Sequence, residues 1–351
     1  MNHLADTNSG PAQTVRPRIA LTTGDPAGIG PEVVLKAVTD SEVLACCQPI
    51  IVGDAAWLAQ VSETLGLNHS YAIVRRGTAW PEVSSRPLFY DLPNLPAPPE
   101  YGVESGIAGK ASAEYIEAAV ELCAAGVAQA ISTAPINKRS LFLGGYNFPG
   151  HTEFLAHLSG TEEYAMAFVA GNLRIVLLST HIPLAQAIQL IERERLVRVI
   201  SLTQRELLRW GLPQPHIAVA ALNPHGGEGG LFGLEEAAEM LPAIQECQAR
   251  EGFTVSGPYS ADTVFLRAAK GEFDAVIACY HDQAMISIKC LSFGEAVNVT
   301  LGLPFVRTSV DHGTAFDIAG QGVAEHSSMV AAIKLAAELA ARPAANKVRA
   351  C

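Results

Sequence analysis

Charged and aromatic residues are scarce in this chain: 17% of its 351 residues are charged and 7% aromatic, while 49% are hydrophobic. That balance argues against a disordered chain or a coiled coil. It describes a compact Ala/Gly/Leu/Val-rich globule, long enough for two lobes. No C-x-x-C pair occurs among the seven cysteines (Cys46, Cys47, Cys123, Cys247, Cys279, Cys290 and Cys351). Their odd number and apolar settings read as reduced core thiols in a cytoplasmic protein. No cluster of Lys and Arg offsets the net charge of −11, so nucleic acid is not expected as a partner. A small phosphate is still compatible, because a focused pocket of cations and backbone amides overrides the mean field at short range. The N-terminal MNHLADTNSGPAQTVRPR lacks the apolar stretch of a signal peptide, and residues 1–17 are expected as a disordered tail. The longest charge-free, largely apolar run, Ile175 to Ile191, is broken by Ser179, Thr180, His181, Pro183 and two glutamines, so no membrane span is expected.

What the chain does contain is an alternation of short apolar strands and amphipathic helices. Strands are expected at Arg18 to Gly24, Pro49 to Asp54, YAIV, AQAISTAPI, AMAFVA, RIVLLST, HIAVAAL and DAVIACY. Helices are expected at Gly106 to Gly126, Glu192 to Gly211 and Leu234 to Gly252. The pattern predicts an α/β fold with mostly parallel, helix-covered sheets. Arg86 to Glu100 carries five prolines and reads as a surface crossover at a lobe boundary. Where the first strand meets its helix, Gly24, Gly28 and Gly30 match neither common phosphate-binding fingerprint. Two readings stand open there, an anion cradle and a tight strand-to-helix turn.

One stretch, Tyr280 to Gly320, mixes His281-Asp282, Asp311-His312, Lys289, Arg307 and Asn298 with apolar residues. Buried charges are costly unless paired, so the mixture points to a ligand site. His181, His225 and His281 each follow an apolar strand in a short polar loop. Strand ends of a parallel sheet share one edge, so three imidazoles could converge on a divalent cation with one position open. The alternative is loop histidines bonded to backbone. Asn223, Glu228 and Asp282 are available as orienting partners, and Glu228 could equally be a solvated loop charge. Thr152 either caps the helix EFLAHL or, with His151, contacts a ligand. His157, His216, His69, His3 and His326 read as structural or surface residues. Lys289 and Arg307 form surface ion pairs or, beside a metal, suit a substrate with a phosphate and a carboxylate.

The blocks GDPAGIGPE, GHTEF, THIPL, NPHGGEGG, ADTVF, YHDQ and VNVTLGLPFVRTSVDHGTAFDIAG, in that order from about Arg18 to about Leu339, resemble the 4-hydroxythreonine-4-phosphate dehydrogenases of vitamin B6 synthesis. GDPAGIGPE and HGTAFDIAG also resemble isocitrate and isopropylmalate dehydrogenases. The resemblance implies their two-lobed fold, divided here as 18–135 plus 297–345 and 136–296. It implies a homodimer with its active site at the subunit boundary. The implied metal ligands are His181, His225 and His281, the last reaching in from the partner, around Zn, Mg or Co. The implied substrate residues are His151, Thr152, Lys289, Asn298 and Arg307. NAD or NADP would lie against the His312–Asp317 loop through Gly313, Thr314 and Asp317. Lys289, Asp262 or Asp282 would relay the proton. The implied reaction oxidises 4-phosphooxy-L-threonine to 2-amino-3-oxo-4-phosphooxybutanoate, which loses CO₂ to give 3-amino-2-oxopropyl phosphate. YHDQA in place of YHDQG is closer to relatives acting on 4-phospho-threonate or -erythronate. Retention of His151-Thr152 points away from those oxidising aromatic dihydrodiols.

Overall fold

A computed structural model describes residues 16–67, 70–82, 84, 86–250, 252–292 and 296–342. All of the expected tail except Arg16 and Pro17, together with His69, Cys351 and the end of the first lobe at 345, lies outside the described residues. Among the described residues there are twelve strands: β1 (Arg18–Thr22), β2 (Gln48–Gly53), β3 (Ala72–Arg75), β4 (Leu88–Asp91), β5 (Ala130–Thr133), β6 (Ala165–Ala170), β7 (Leu173–Leu177), β8 (His216–Ala220), β9 (Thr254–Tyr259), β10 (Ala275–Ala278), β11 (Val297–Leu301) and β12 (Val306–Ser309). They form one sheet in the order β3-β4-β2-β1-β5-β12-β11-β6-β7-β10-β8-β9.

Six neighbouring strands, β3 to β12 in that order, are mutually parallel, as are β7, β10, β8 and β9. Between them β11 runs antiparallel to both β12 and β6, and β6 antiparallel to β7. The two parallel blocks therefore point in opposite directions across a central seam. Each block is buried on both faces, which is why its strands are near-continuous apolar runs instead of alternating ones. In β1, Ile19 and Leu21 face one core and Ala20 the other; in β8, Ile217 and Val219 face a third core and Ala218 and Ala220 a fourth. The helix Ser327–Ala341 crosses the seam. Its Met329 and Ile333 enter the first lobe's core, and its Ala332 and Leu339 the second's.

Two expectations change. The proline-rich stretch contains β4, a fully buried strand between β3 and β2, because Leu88–Asp91 is free of proline and the prolines only flank it. Strand β9 has no counterpart in the expected pattern because Gly257-Pro258 interrupts it; proline is tolerated there because β9 is the edge of the sheet. The helices Lys138–Leu143 and His151–Ser159 bury Leu141, Phe154 and Leu155 in the same core as the helix Gly106–Ala124. Of the six described cysteines, Cys47, Cys247 and Cys279 are buried as expected, Cys290 is exposed, and none forms a disulfide. Among the described residues no helix is long and apolar enough to cross a membrane.

The packing of two of those helices is unusually close. A Cβ at Gly109 would lie 1.8 Å from the Ser140 carbonyl oxygen, so only glycine lets Gly106–Ala124 and Lys138–Leu143 touch backbone to backbone. Gly109→Ala is expected to destabilise the fold by about 3 kcal/mol through this overlap. Urea unfolding checks this; an unchanged midpoint would show that the two helices separate freely.

Candidate functional site

The parallel neighbours β7, β10 and β8 end on one edge, and the three expected histidines follow them. His181 and His281 meet, with ring centroids 5.3 Å apart, beside a cavity of about 290 Å³ that Thr180, Pro183, Tyr280 and Asp282 also line. His281 Nδ1 lies 2.7 Å from Asp282 Oδ1. With Nδ1–H donating to that carboxylate, Nε2 presents its lone pair. Burial holds the His181 imidazole below its ordinary pKa, and the charges of His281 and Lys138 push it the same way against Glu153. Neutral imidazole is the form that ligates a metal.

His225 stands apart. Its ring faces Phe232 at 6.4 Å, in the loop Pro224–Gly230, where five consecutive residues, His225 to Gly229, take left-handed backbone angles. Among the described residues no three His, Cys, Asp or Glu side chains come close enough to hold a metal ion. The triad expected from the loops is therefore a pair plus one within a single chain. Within this chain His281 stands beside His181, and His225 is apart from both. Asn223 does not orient His225. Its Nδ2 donates to Glu235 Oε2 (2.8 Å) and Glu236 Oε2 (2.9 Å), pinning the base of the loop to a buried carboxylate. Glu228 is an exposed loop charge. Asp262 is exposed in the first turn of Ala261–Ala269, a helix that packs against both the His225 loop and the helix carrying His281 and Lys289.

Arg307, on β12, is 2% exposed. Its Nη2 donates to Thr133 Oγ1 (2.7 Å) on β5, and its Nη1 to Thr300 Oγ1 (3.0 Å) and, at 3.5 Å, Asn298 Oδ1 on β11. No carboxylate among the described residues forms an ion pair with it, Nε has no partner, and burial pushes its pKa down to about 9 against the pull of Glu153. The surface ion-pair reading of Arg307 fails, because a cation desolvated without a counter-ion is poised for an anion. Beside it, His151 is driven well below its ordinary pKa by burial and by Arg307 and Lys138, and its buried Nε2 has no partner. Thr152 does not cap the helix; Gly150 occupies the cap position, and buried Thr152 lines a second cavity of about 290 Å³ with Glu153 and Thr180. Lys289, 61% exposed, pairs with Asp311 Oδ2 at 3.6 Å. Burial raises the Asp311 pKa, and Lys289, His312 and His281 oppose that rise, which places this carboxyl between the cation and the imidazole pair.

The glycine turn is a packing device. Cβ atoms at Gly24 and Gly30 would lie 2.2 Å from the carbonyl oxygens of Pro135 and Thr23, and the Ile29 amide already donates to Thr314 O (3.0 Å). The Thr314 carbonyl thus holds that turn, while Gly313 and Asp317 are exposed and the buried His312 Nε2 has no partner. Buried Glu32 fastens the end of the same loop: its Oε1 accepts from Lys36 Nζ and the Ala324 amide, both 2.8 Å. Sequence reasoning missed Thr133 and Thr300, the hydroxyls that hold Arg307. Polar residues closing an apolar strand, as in AIST, were the available signal.

The family model described as pyridoxal phosphate biosynthetic protein PdxA matches residues 45–336. A D-threonate 4-phosphate dehydrogenase of Cupriavidus necator is 44% identical over 329 residues, 93% of this chain and 98% of that one. A 4-hydroxythreonine-4-phosphate dehydrogenase of Geobacter metallireducens is 44% identical over 328 residues, 93% of this chain and 96% of that one. The crystal structure of a 4-hydroxythreonine-4-phosphate dehydrogenase from Klebsiella pneumoniae superposes with a TM-score of 0.84 at 41% identity, covering 92% of this chain and 99% of that one. The chain belongs to the family of the pyridoxal phosphate biosynthetic protein PdxA.

Proposed function

We propose that this chain oxidises the C3 hydroxyl of a four-carbon 4-phosphooxy acid with NAD or NADP, after which the resulting β-keto acid loses CO₂. The observation that carries this reading is the buried Arg307 guanidinium beside His151, with no ion-pair partner among the described residues, together with the His181–His281 pair in the same chain. The names of the family and of the Geobacter relative support 4-phosphooxy-L-threonine as the substrate, which these steps would convert to 3-amino-2-oxopropyl phosphate. D-threonate 4-phosphate is a second reading, supported by the name of the Cupriavidus relative. The same steps on that substrate give dihydroxyacetone phosphate.

The donor set fits a divalent cation: a neutral His181 and a His281 whose Nε2 is left free by Asp282, both suited to Zn or Co more than to Mg. A bound cation supplies Lewis-acid polarisation of an oxygen, and a bound nicotinamide supplies the hydride acceptor. The chain's own residues do the rest. Arg307, held flat by Thr133, Thr300 and Asn298, binds and orients an anionic end of the substrate with its desolvation already met in the fold. His151, neutral and with an open Nε2, offers a hydrogen bond at the same end. Lys289 Nζ, steadied by Asp311, is placed to return a proton to the substrate carbon after CO₂ leaves. Asp282 orients His281 and is not the relay, and in this reading Asp262 and His225 come from the partner subunit. The apolar surface around the His225 loop supports that assembly: Leu231 is 73% and Leu234 66% exposed, more than a solitary chain has reason to leave in water.

Incubation with NAD⁺ or NADP⁺, Zn²⁺, Co²⁺ or Mg²⁺ and each phosphooxy acid is expected to yield reduced nicotinamide and CO₂ in equal amounts, both lost on chelation. Oxidation without CO₂ release would reject the decarboxylation. Arg307→Lys keeps the charge but loses the planar fork, so KM is expected to rise about tenfold or more. An unchanged KM would remove Arg307 from the substrate site. Co-expressed His225→Ala and His281→Ala chains are expected to recover activity, because half of the sites in a mixed dimer keep all three imidazoles. The His181→Ala and His281→Ala combination, with both lesions on the same half-site, is expected to stay inactive. Recovery in the second mixture and none in the first would overturn the arrangement.

A further inference from the structure

We propose that the adjacent thiols of Cys46 and Cys47 form a dithiol site that captures a trivalent arsenical, one arsenic atom bridging the two sulfurs. They are the one adjacent pair among the seven cysteines. Cys46 closes the helix Ser41–Cys46, and Cys47 leads from it into β2. Three donors converge on a single oxygen there. The Val43 carbonyl accepts from the Cys47 amide (3.1 Å), the Cys46 thiol (3.4 Å) and the Cys47 thiol (3.4 Å). The shared acceptor brings both sulfurs to one side of the helix end. Cys46 is half-buried and Cys47 belongs to the first lobe's core, so one thiol is reachable from solvent and the other stands inside it.

The geometry selects this ligand class over the alternatives. Consecutive Cα atoms stand about 3.8 Å apart across a trans peptide, less than the roughly 4.4–6.8 Å that an unstrained disulfide spans, so oxidation to a bridge is disfavoured. Among the described residues no third His, Cys, Asp or Glu completes a metal site, whereas a monosubstituted arsenical asks for two sulfurs only. Phenylarsine oxide and two thiols give a cyclic dithioarsinite and one water. Both S–H bonds and the arsenic–oxygen bond break, two arsenic–sulfur bonds form, the oxygen leaves with the two protons, and nothing is oxidised or reduced. Cys46 makes the first bond. It lies one helical turn from Glu42, whose carboxylate pairs with Lys334 Nζ, so a cation stands beside this end of the helix. Its bond to the Cys47 thiol, with Lys334 and Arg16 behind it, holds the Cys46 thiol down to about 7 against burial. Cys47, pushed up by its bond to Cys46 and by burial, keeps its proton until the second arsenic–sulfur bond forms.

The test titrates the full-length, metal-loaded chain with phenylarsine oxide. Intact mass counts the arsenical bound, and iodoacetamide labelling of the native chain, read by peptide mass, locates the thiols withdrawn. One arsenical per chain is expected, with Cys46 protected from alkylation, and release by ethanedithiol but not by mercaptoethanol. Cys46→Ser and Cys47→Ala are each expected to weaken binding about 100-fold or more, because the second bond forms within the chain. Cys290→Ser, which removes an exposed and isolated thiol, is expected to match wild type. No arsenical bound to wild type, equally tight binding by Cys46→Ser, or loss of binding in Cys290→Ser would each overturn the assignment. Thermal melting accompanies every titration; if Cys47→Ala melts early because the core is disturbed, half-buried Cys46→Ser decides the outcome alone.

Discussion

A guanidinium buried in the middle of a sheet with no carboxylate against it is the constraint around which this fold is arranged. Arg307 sits where β12 meets the antiparallel β11, at the seam between two oppositely directed parallel blocks. In that register Arg307 faces Thr300, and Thr133 faces Ser309, so one face of an otherwise apolar sheet carries a polar strip. Two hydroxyls and an amide oxygen accept from its Nη atoms without cancelling its charge, and Nε is left without a partner. Desolvating such a cation costs several kcal/mol, and neutral donors and acceptors return only part of it. The residual attraction is directed at whatever anion enters the cleft, which is how a chain of net charge −11 can recruit a phosphorylated acid.

The strands were legible because a sheet buried on both faces needs nearly continuous apolar runs, and AMAFVA, HIAVAAL and DAVIACY can do little else. The edge shared by His181, His225 and His281 was also legible, since parallel strands deliver their following loops to one side. Which imidazoles meet was not. That depends on strand order, and β10 lying between β7 and β8 puts His281 next to His181 without any trace in the spacing. Thr133 was hidden for a related reason: it looks like an ordinary strand residue until Arg307 arrives from β12, 174 positions later. The glycine turn misled in the opposite sense. Its pattern suits a phosphate cradle, but backbone from Thr23, Pro135 and Thr314 already fills the space that a ligand would need.

The loop carrying His225 has the reverse economy to the Arg307 strip. Arg307 is over-determined by three strands, whereas His225 to Gly229 holds five successive left-handed residues, two of them not glycine, with its base hydrogen-bonded through Asn223 to Glu236. Such a conformation is unfavourable for an isolated segment and needs contacts that compensate for it. Within one chain those contacts are few, and the neighbouring Leu231, Phe232 and Leu234 are exposed.

On the proposed assembly, both deficits have one remedy. A second copy covering the apolar loop would bury those side chains, stabilise the strained backbone and carry His225 toward the His181–His281 pair. Two imidazoles make a weak cation site and three make a strong one, so cation affinity would be tied to dimerisation by linkage. The rigid, self-sufficient part of the site is then the part that recognises the substrate's anionic ends. The strained, incomplete part is the one that gains its function only when the interface closes.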